Sequence, residues 1–154
     1  MKPDAACRTG AYALGDGRSL IVTGWNGSAE DLIYLLPSGE IAHLKPGSDG
    51  NYVPSTRAFP KFVFSDCKSE SLNFTTDNQS SVKGEKIPLQ VRQSNFSSGS
   101  VSLHGQLVLP ANGKADTVVV WIPGSNDDPA TDDTYWQYLL PQSGIGVFTT
   151  DKRG

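Results

Sequence analysis

Residues 10–24 read GAYALGDGRSLIVTG. Two short extended runs, residues 11–14 and 19–23, flank Gly15-Asp16-Gly17. Gly and Asp tolerate the positive-φ backbone of a tight turn, so the stretch predicts an antiparallel hairpin. The same pattern continues outward. Residues 32–36 are apolar and Pro37-Ser38-Gly39 turns the chain; residues 41–44 follow and stop before Pro46-Gly47. Residues 61–65, 71–75 and 87–92 extend the series. Short runs with hairpin-sized gaps predict a meander. The longest run is 100–109. Val101, Leu103, Gly105, Leu107 and Leu109 fall on one face, and Ser102, His104, Gln106 and Val108 on the other. That period of two describes a half-buried strand. No helical stripe stands out before residue 130. Residues 9–95 are therefore expected to form an accessory antiparallel β module, a meander or partial barrel.

The 154 residues suffice for one ordinary domain or two small ones. Apolar residues make up 37% and charged residues 19%, with 16 Gly and 10 Pro, a composition of folded, turn-rich chains and not of disordered ones. The net charge is -3, and Lys61, Lys68, Lys83, Lys86 and Arg92 are scattered, which argues against nucleic-acid binding. The longest apolar runs, 32–36 and 118–122, are too short to span a bilayer. Cys7 and Cys67 have no metal-ligand spacing. They are either a disulfide, which would fit a periplasmic or secreted protein, or two unrelated thiols of a cytoplasmic one.

The pattern changes at Lys114. Residues 117–122, TVVVWI, are continuously apolar after the threonine, as in a parallel strand buried on both faces. Pro123-Gly124-Ser125-Asn126 follows, then an Asp-rich loop. Residues 134–140 are a short helix candidate, with Tyr135, Trp136, Leu139 and Leu140 on one face, Thr131 as N-cap, and Asp132 and Asp133 in the first turn. Pro141 should stop this helix, and Ser143-Gly144 should turn the chain into a second apolar strand at 145–150. A right-handed crossover would make the two strands parallel. One short helix cannot cover both faces of such a sheet, so residues 96–154 are expected to be the truncated start of a larger catalytic domain. In this frame the turn after residue 122 points backbone amides above the strand ends, where open α/β sheets bind ligands and where a developing oxyanion can be held.

VVVWIPGSNDD, the helix, and then GIGVFTTDKRG together resemble the opening of α/β-hydrolases of the dienelactone-hydrolase, serine-aminopeptidase and acylaminoacyl-peptidase kind. The segment VSLHGQLVLPANGKAD resembles the extended entry to that fold, and residues 101–154 carry the resemblance. It implies a mainly β N-terminal module followed by the first strands and helix of an α/β-hydrolase sheet. It implies a serine hydrolase acting on ester or peptide-like acyl bonds of small molecules, completed by the remaining part of the catalytic domain, with no cofactor. Gly124 would match the glycine of the family's His-Gly pair, and Ser125 or Asn126 would give a backbone N–H to the oxyanion hole. Pro123 stands where that family has His, and Asn126 where it has Gly.

The nucleophile is not in the chain. No G-x-S-x-G occurs, and Asp151, His43 and His104 precede the point where one would follow. The 154 residues alone are expected to be inactive. The alternative is a non-catalytic β-rich binding or interaction module. His43 and His104 are expected as surface or sheet-face histidines, and Trp25, Tyr34, Tyr52, Phe59, Phe62, Phe64 and Phe74 as core or module interface. Asp127, Asp128, Asp132 and Asp133 lack calcium-loop spacing and read as a solvated loop, so no metal is expected.

Overall fold

Alternate residues of the N-terminal strands are apolar, and the face they make closes on itself. A computed structural model describes residues 7–25, 28–48, 50–122, 124 and 135–151. The chain divides into two units, Met1–Ile87 and Pro88–Gly154. The first contains β1 (Gly10–Leu14), β2 (Ser19–Trp25), β3 (Ser28–Leu35), β4 (Ile41–Pro46), β5 (Tyr52–Pro54), β6 (Lys61–Phe64), β7 (Ser71–Thr75) and β8 (Ser81–Lys86). Each strand pairs antiparallel with the next, and β1 pairs with β8, with Tyr12 opposite Lys86 and Leu14 opposite Gly84. The result is a closed eight-stranded barrel. A barrel of this size has an interior just wide enough for side chains. Tyr12, Leu20, Leu32, Leu44, Phe62 and Leu72, from six different strands, fill it and are buried. Phe62 lies at the centre of an aromatic row, 5.0 Å from the Tyr34 ring and 5.3 Å from Phe74.

Closure sets the residues at the seam. A Cβ on Gly84 would stand 3.0 Å from Leu14 Cδ2 and 3.1 Å from Leu72 Cδ1, so glycine lets β8 approach β1 and β7 closely. Three of the turns are alike. Leu14 N–H donates to Arg18 O, Leu36 N–H to Glu40 O and Thr76 N–H to Ser80 O, with a tighter bond nested inside each. The nested bond needs a left-handed residue, supplied by Gly17 (φ 85°), Gly39 (φ 87°) and Gln79 (φ 63°). A disulfide joins Cys7 and Cys67, Cα atoms 5.4 Å apart, and ties the segment before β1 to the β6–β7 loop.

The second unit contains β9 (Gln90–Ser98), β10 (Val101–Leu109), β11 (Thr117–Trp121), α1 (Trp136–Leu139), a 3-10 turn (Leu140–Ser143) and β12 (Ile145–Thr150). The strands form one mixed sheet in the order β11-β12-β10-β9, with β11 parallel to β12 and the other pairs antiparallel.

Several expectations are corrected here. The N-terminal part is neither an open meander nor a partial barrel, because β1–β8 pairing leaves no free edge. Residues 96–154 do not show the expected α/β-hydrolase sheet flanked by helices. Among the described residues that unit holds one turn of α-helix, one 3-10 turn and a sheet that is antiparallel except at β11. Residues 117–122 are not buried on both faces: β11 is an edge strand exposed throughout, Val120 by 57% and Ile122 by 78%. The short helix does not bury its apolar stripe. Gln137 is its buried residue, because its side-chain carbonyl accepts from Gln106 Nε2 at 3.0 Å. The α-helix ends at Leu139, two residues before Pro141, and Pro141 sits in the first turn of the 3-10 segment that follows, where no proline amide is needed. Gly144 then leaves it at φ 83°. Thr131, Asp132 and Asp133 lie outside the described residues.

Candidate binding site at one end of the barrel

In an up-and-down barrel, every turn from an odd to an even strand falls at the same end. Residues 15–18, 36–40, 55–60 and 76–80 are those turns. The first, second and fourth are tight and hug the rim. The third is longer, and its Arg57, Ala58, Phe59 and Pro60 line the cavity that lies between the four turns. This cavity has a volume of about 360 Å³. Its apolar lining comes from Leu36, Phe59, Pro60 and Phe74, and its polar lining from Arg18, Glu40, Arg57, Thr76 and Asp77. Leu36 and Phe74 also belong to the barrel core, so the cavity floor is the top of that core.

Two guanidinium groups are fixed at this rim. Arg18 Nε and Nη2 both donate to Asp16 Oδ2, at 2.9 and 2.6 Å, and its guanidinium carbon stands 5.4 Å from the Phe74 ring centroid. The Arg18 hydrogen bond holds the Asp16 carboxyl below its usual value. Arg57 Nη2 donates to Tyr34 Oη at 2.9 Å and to Glu40 Oε1, while Tyr34 Oη donates to the same carboxylate oxygen. Burial first, and then donation to Glu40, push the Tyr34 phenol up to about 12. Tyr34 thus runs from the aromatic row inside the barrel to the ion pair at its mouth. Among the described residues Arg57 Nε and Nη1 and Arg18 Nη1 have no hydrogen-bond partner, so both forks keep donors beside a carboxylate.

The residues singled out from the sequence stand elsewhere. Gly124 is exposed in the second unit. Ser125 and Asn126 lie outside the described residues, as do Asp127, Asp128 and Asp133. The His43 ring packs edge-on against Trp25 at 4.7 Å. His104 Nδ1 is 2.7 Å from Asn95 Oδ1. Neither histidine ring meets a serine or a carboxylate among the described residues, so no Ser-His-acid relay is assembled there. No group of His, Cys, Asp and Glu able to hold a metal occurs among them either. Compared with models of known families and with curated protein sequences, the chain matches none. The closed barrel and the mixed sheet stand in place of the expected α/β-hydrolase sheet, so the serine-hydrolase reading and the enzyme it implied are corrected. Sequence reasoning missed Arg18, Tyr34, Glu40, Arg57 and Asp77 as site residues. The available signal was topological: all five stand in or beside odd-to-even turns.

Proposed function

We propose that the chain acts as a non-catalytic binding module and that the odd-to-even end of the barrel is its recognition face. The observation that carries this reading is the cavity built jointly by four turns over a filled core. Small-molecule sites are concave, largely apolar and equipped with a few placed polar groups, and this end of the barrel fits that description. The rim contacts support the reading in a second way. A tight turn holds Arg18 in place, and bonds to Tyr34 and Glu40 hold Arg57, before a ligand arrives, which lowers the ordering cost of binding. The Cys7–Cys67 bond at the other end fits a protein of an oxidising compartment, periplasmic or extracellular.

Chemical-shift mapping of the full chain with a mixed library of small polar and aromatic fragments tests the reading. The expected result is perturbation clustered in residues 15–18, 36–40, 55–60 and 76–80. Perturbations confined to other segments, or none with any fragment, would overturn it.

A further inference from the structure

We propose that the cavity takes a neutral polyhydroxylated ring, a mono- or disaccharide, held through its hydroxyls by two arginine–carboxylate pairs. This rests on the binding reading above and names its ligand class.

Charge is the first argument. Arg18 and Arg57 are the cations that line the cavity, and Lys61 stands over the Phe59 ring. Asp16, Glu40 and Asp77 are the anions, with Asp16 bound to Arg18 and Glu40 to Arg57. Each guanidinium already has its counter-ion, and Lys61 Nζ, 5.4 Å from the Phe59 ring centroid, offsets Asp77, so the site has no net charge. An anionic ligand would have to displace Asp16 or Glu40 or sit beside them. A cationic ligand would have to sit against two guanidinium groups. A neutral ligand meets neither cost.

Hydrogen-bond stereochemistry is the second. A hydroxyl both donates and accepts, and two on adjacent ring carbons present two of each within a small span. An arginine fork beside a carboxylate offers the complement: open N–H donors on Arg57 Nε and Nη1 next to the lone pairs of Glu40, and on Arg18 Nη1 next to Asp16. Bonds to charged groups are the stronger ones. They are also directional, which favours a rigid ring over a flexible polyol.

The apolar lining is the third. Phe59 and Pro60 face the cavity beside Leu36. The C–H face of a sugar ring is apolar and packs on such a surface, while its equatorial hydroxyls point outward to the rim. A volume of about 360 Å³ lies near the small end of the range for ligand sites, which suits one or two rings and not a groove-bound polymer.

The experiment is a shift titration of the full chain with three groups of named probes. These are neutral sugars (glucose, galactose, mannose, N-acetylglucosamine, maltose, cellobiose), anions (glucuronate, citrate, inorganic phosphate) and aromatic fragments. The expected result is saturable shifts in the four turns with at least one neutral sugar, with a dissociation constant on the order of 0.1–10 mM. R18M and D77N, both in exposed turns, should weaken that sugar by about tenfold or more while leaving amide exchange in the barrel strands unchanged. R57K should retain more affinity than R57M, because it keeps a donor at the rim. Anions or aromatic fragments binding in the four turns while no neutral sugar does would overturn the ligand class and leave the binding face standing. Sugar shifts undiminished in R18M, D77N and R57M would overturn the assignment of these residues. No probe shifting the four turns would overturn the binding face itself.

Discussion

Replacing Phe62 with alanine tests whether the first eight strands form a closed barrel. Phe62 is fully buried and is the residue of β6 that registers with β5, opposite Tyr52. The β5–β6 seam rests on that one pair, so it is the place where a barrel would open into a meander. In the closed form, truncating Phe62 removes a ring packed between Tyr34 and Phe74. It leaves a cavity that neighbouring strands cannot collapse into. Phe→Ala at such a position costs about 3–5 kcal/mol. In an open meander the same ring would be half-solvated at an edge, and its loss would cost on the order of 1 kcal/mol or less. A unit the size of Met1–Ile87 has a total stability of roughly 4–13 kcal/mol, so the closed form predicts a large fraction of it lost.

Because the chain has two units, one melting curve is a poor readout. Hydrogen exchange read by segment in the full chain separates them. Amides of β6 and β7 that exchange by global opening of the barrel should speed up by roughly a hundred- to several-thousand-fold in F62A. Amides of β10 and β12 should not change. An acceleration below about tenfold in β6 and β7 would refute closure at the β5–β6 seam, and the cavity above it would lose its floor.

Four further outcomes follow from particular contacts. Q79G should stabilise the barrel by about 0.5–1 kcal/mol, since Gln79 holds φ 63° where the equivalent turns carry Gly17 and Gly39; G39A should destabilise it by a similar amount, and chemical denaturation measures both. The disulfide closes a span of 60 residues, so C7S/C67S should lose about 2–4 kcal/mol, and the wild type should lose the same on reduction. Tyr34 has a folded-state pKa raised to about 12 against an ordinary value of 10.0. Below pH 10 its contribution is fully present, and it is lost as pH rises from 10 through 12, because the unfolded chain gives up the proton first. Thermal melts of the wild type should therefore fall over that window, and Y34F should fall less steeply. Finally, G84A should cost about 1–2 kcal/mol through contact with Leu14 and Leu72, and L72V should relieve part of it in the double mutant.

The strands that were legible in the sequence are those with an apolar alternation bounded by turn residues such as Gly, Pro, Asp, Asn or Ser. β7 is one, Ser71–Thr75, with Leu72 and Phe74 inward. The strands that were not legible lack that signal. β8 reads SVKGEK, and its inward positions are Val82 and a glycine. Glycine is what closure requires there, and it is also what removes the hydrophobic period. β5 is a three-residue strand ending in Pro54. Ile87, Leu89 and Val91 alternate and so predict a strand at 87–92, but Pro88 has no amide to give a ladder; β8 stops at Lys86 and β9 starts at Gln90. Missing β8 hid the β1 partner, and without it the barrel could only be expected as a meander or a partial one. The second unit failed for a related reason. A strand–loop–helix–strand order reports local structure, whereas what lies on each face of TVVVW depends on elements the pattern does not contain.

The candidate site was still less legible, because no local run contains it. Arg18, Glu40, Arg57 and Asp77 come from four separate turns, and each has an ordinary local explanation. Arg18 follows an Asp in a hairpin turn, Glu40 precedes a strand after Gly39, and Asp77 stands in an Asx-rich turn. What makes them one site is the parity of an up-and-down barrel, which sends every odd-to-even turn to the same end. Tyr34 shows the same dependence on closure. Its ring packs on Phe62 inside the barrel while its hydroxyl joins Glu40 and Arg57 at the mouth. A tyrosine can do both only where a strand runs from the core out to the rim. The turn geometry then decides how rigid the rim is. Gly17, Gly39 and Gln79 are the left-handed residues of three of the four turns. At the fourth, residues 55–60, Arg57 N–H donates to Pro54 O at 3.4 Å, a longer bond than the nested bonds of the other three. That loop carries Arg57 and Phe59, a hydrogen-bonding fork and an apolar wall of the cavity. That side lacks the nested left-handed turn of the other three, and it supplies more of the lining residues than any other turn, so ligand discrimination should respond most to changes in residues 55–60.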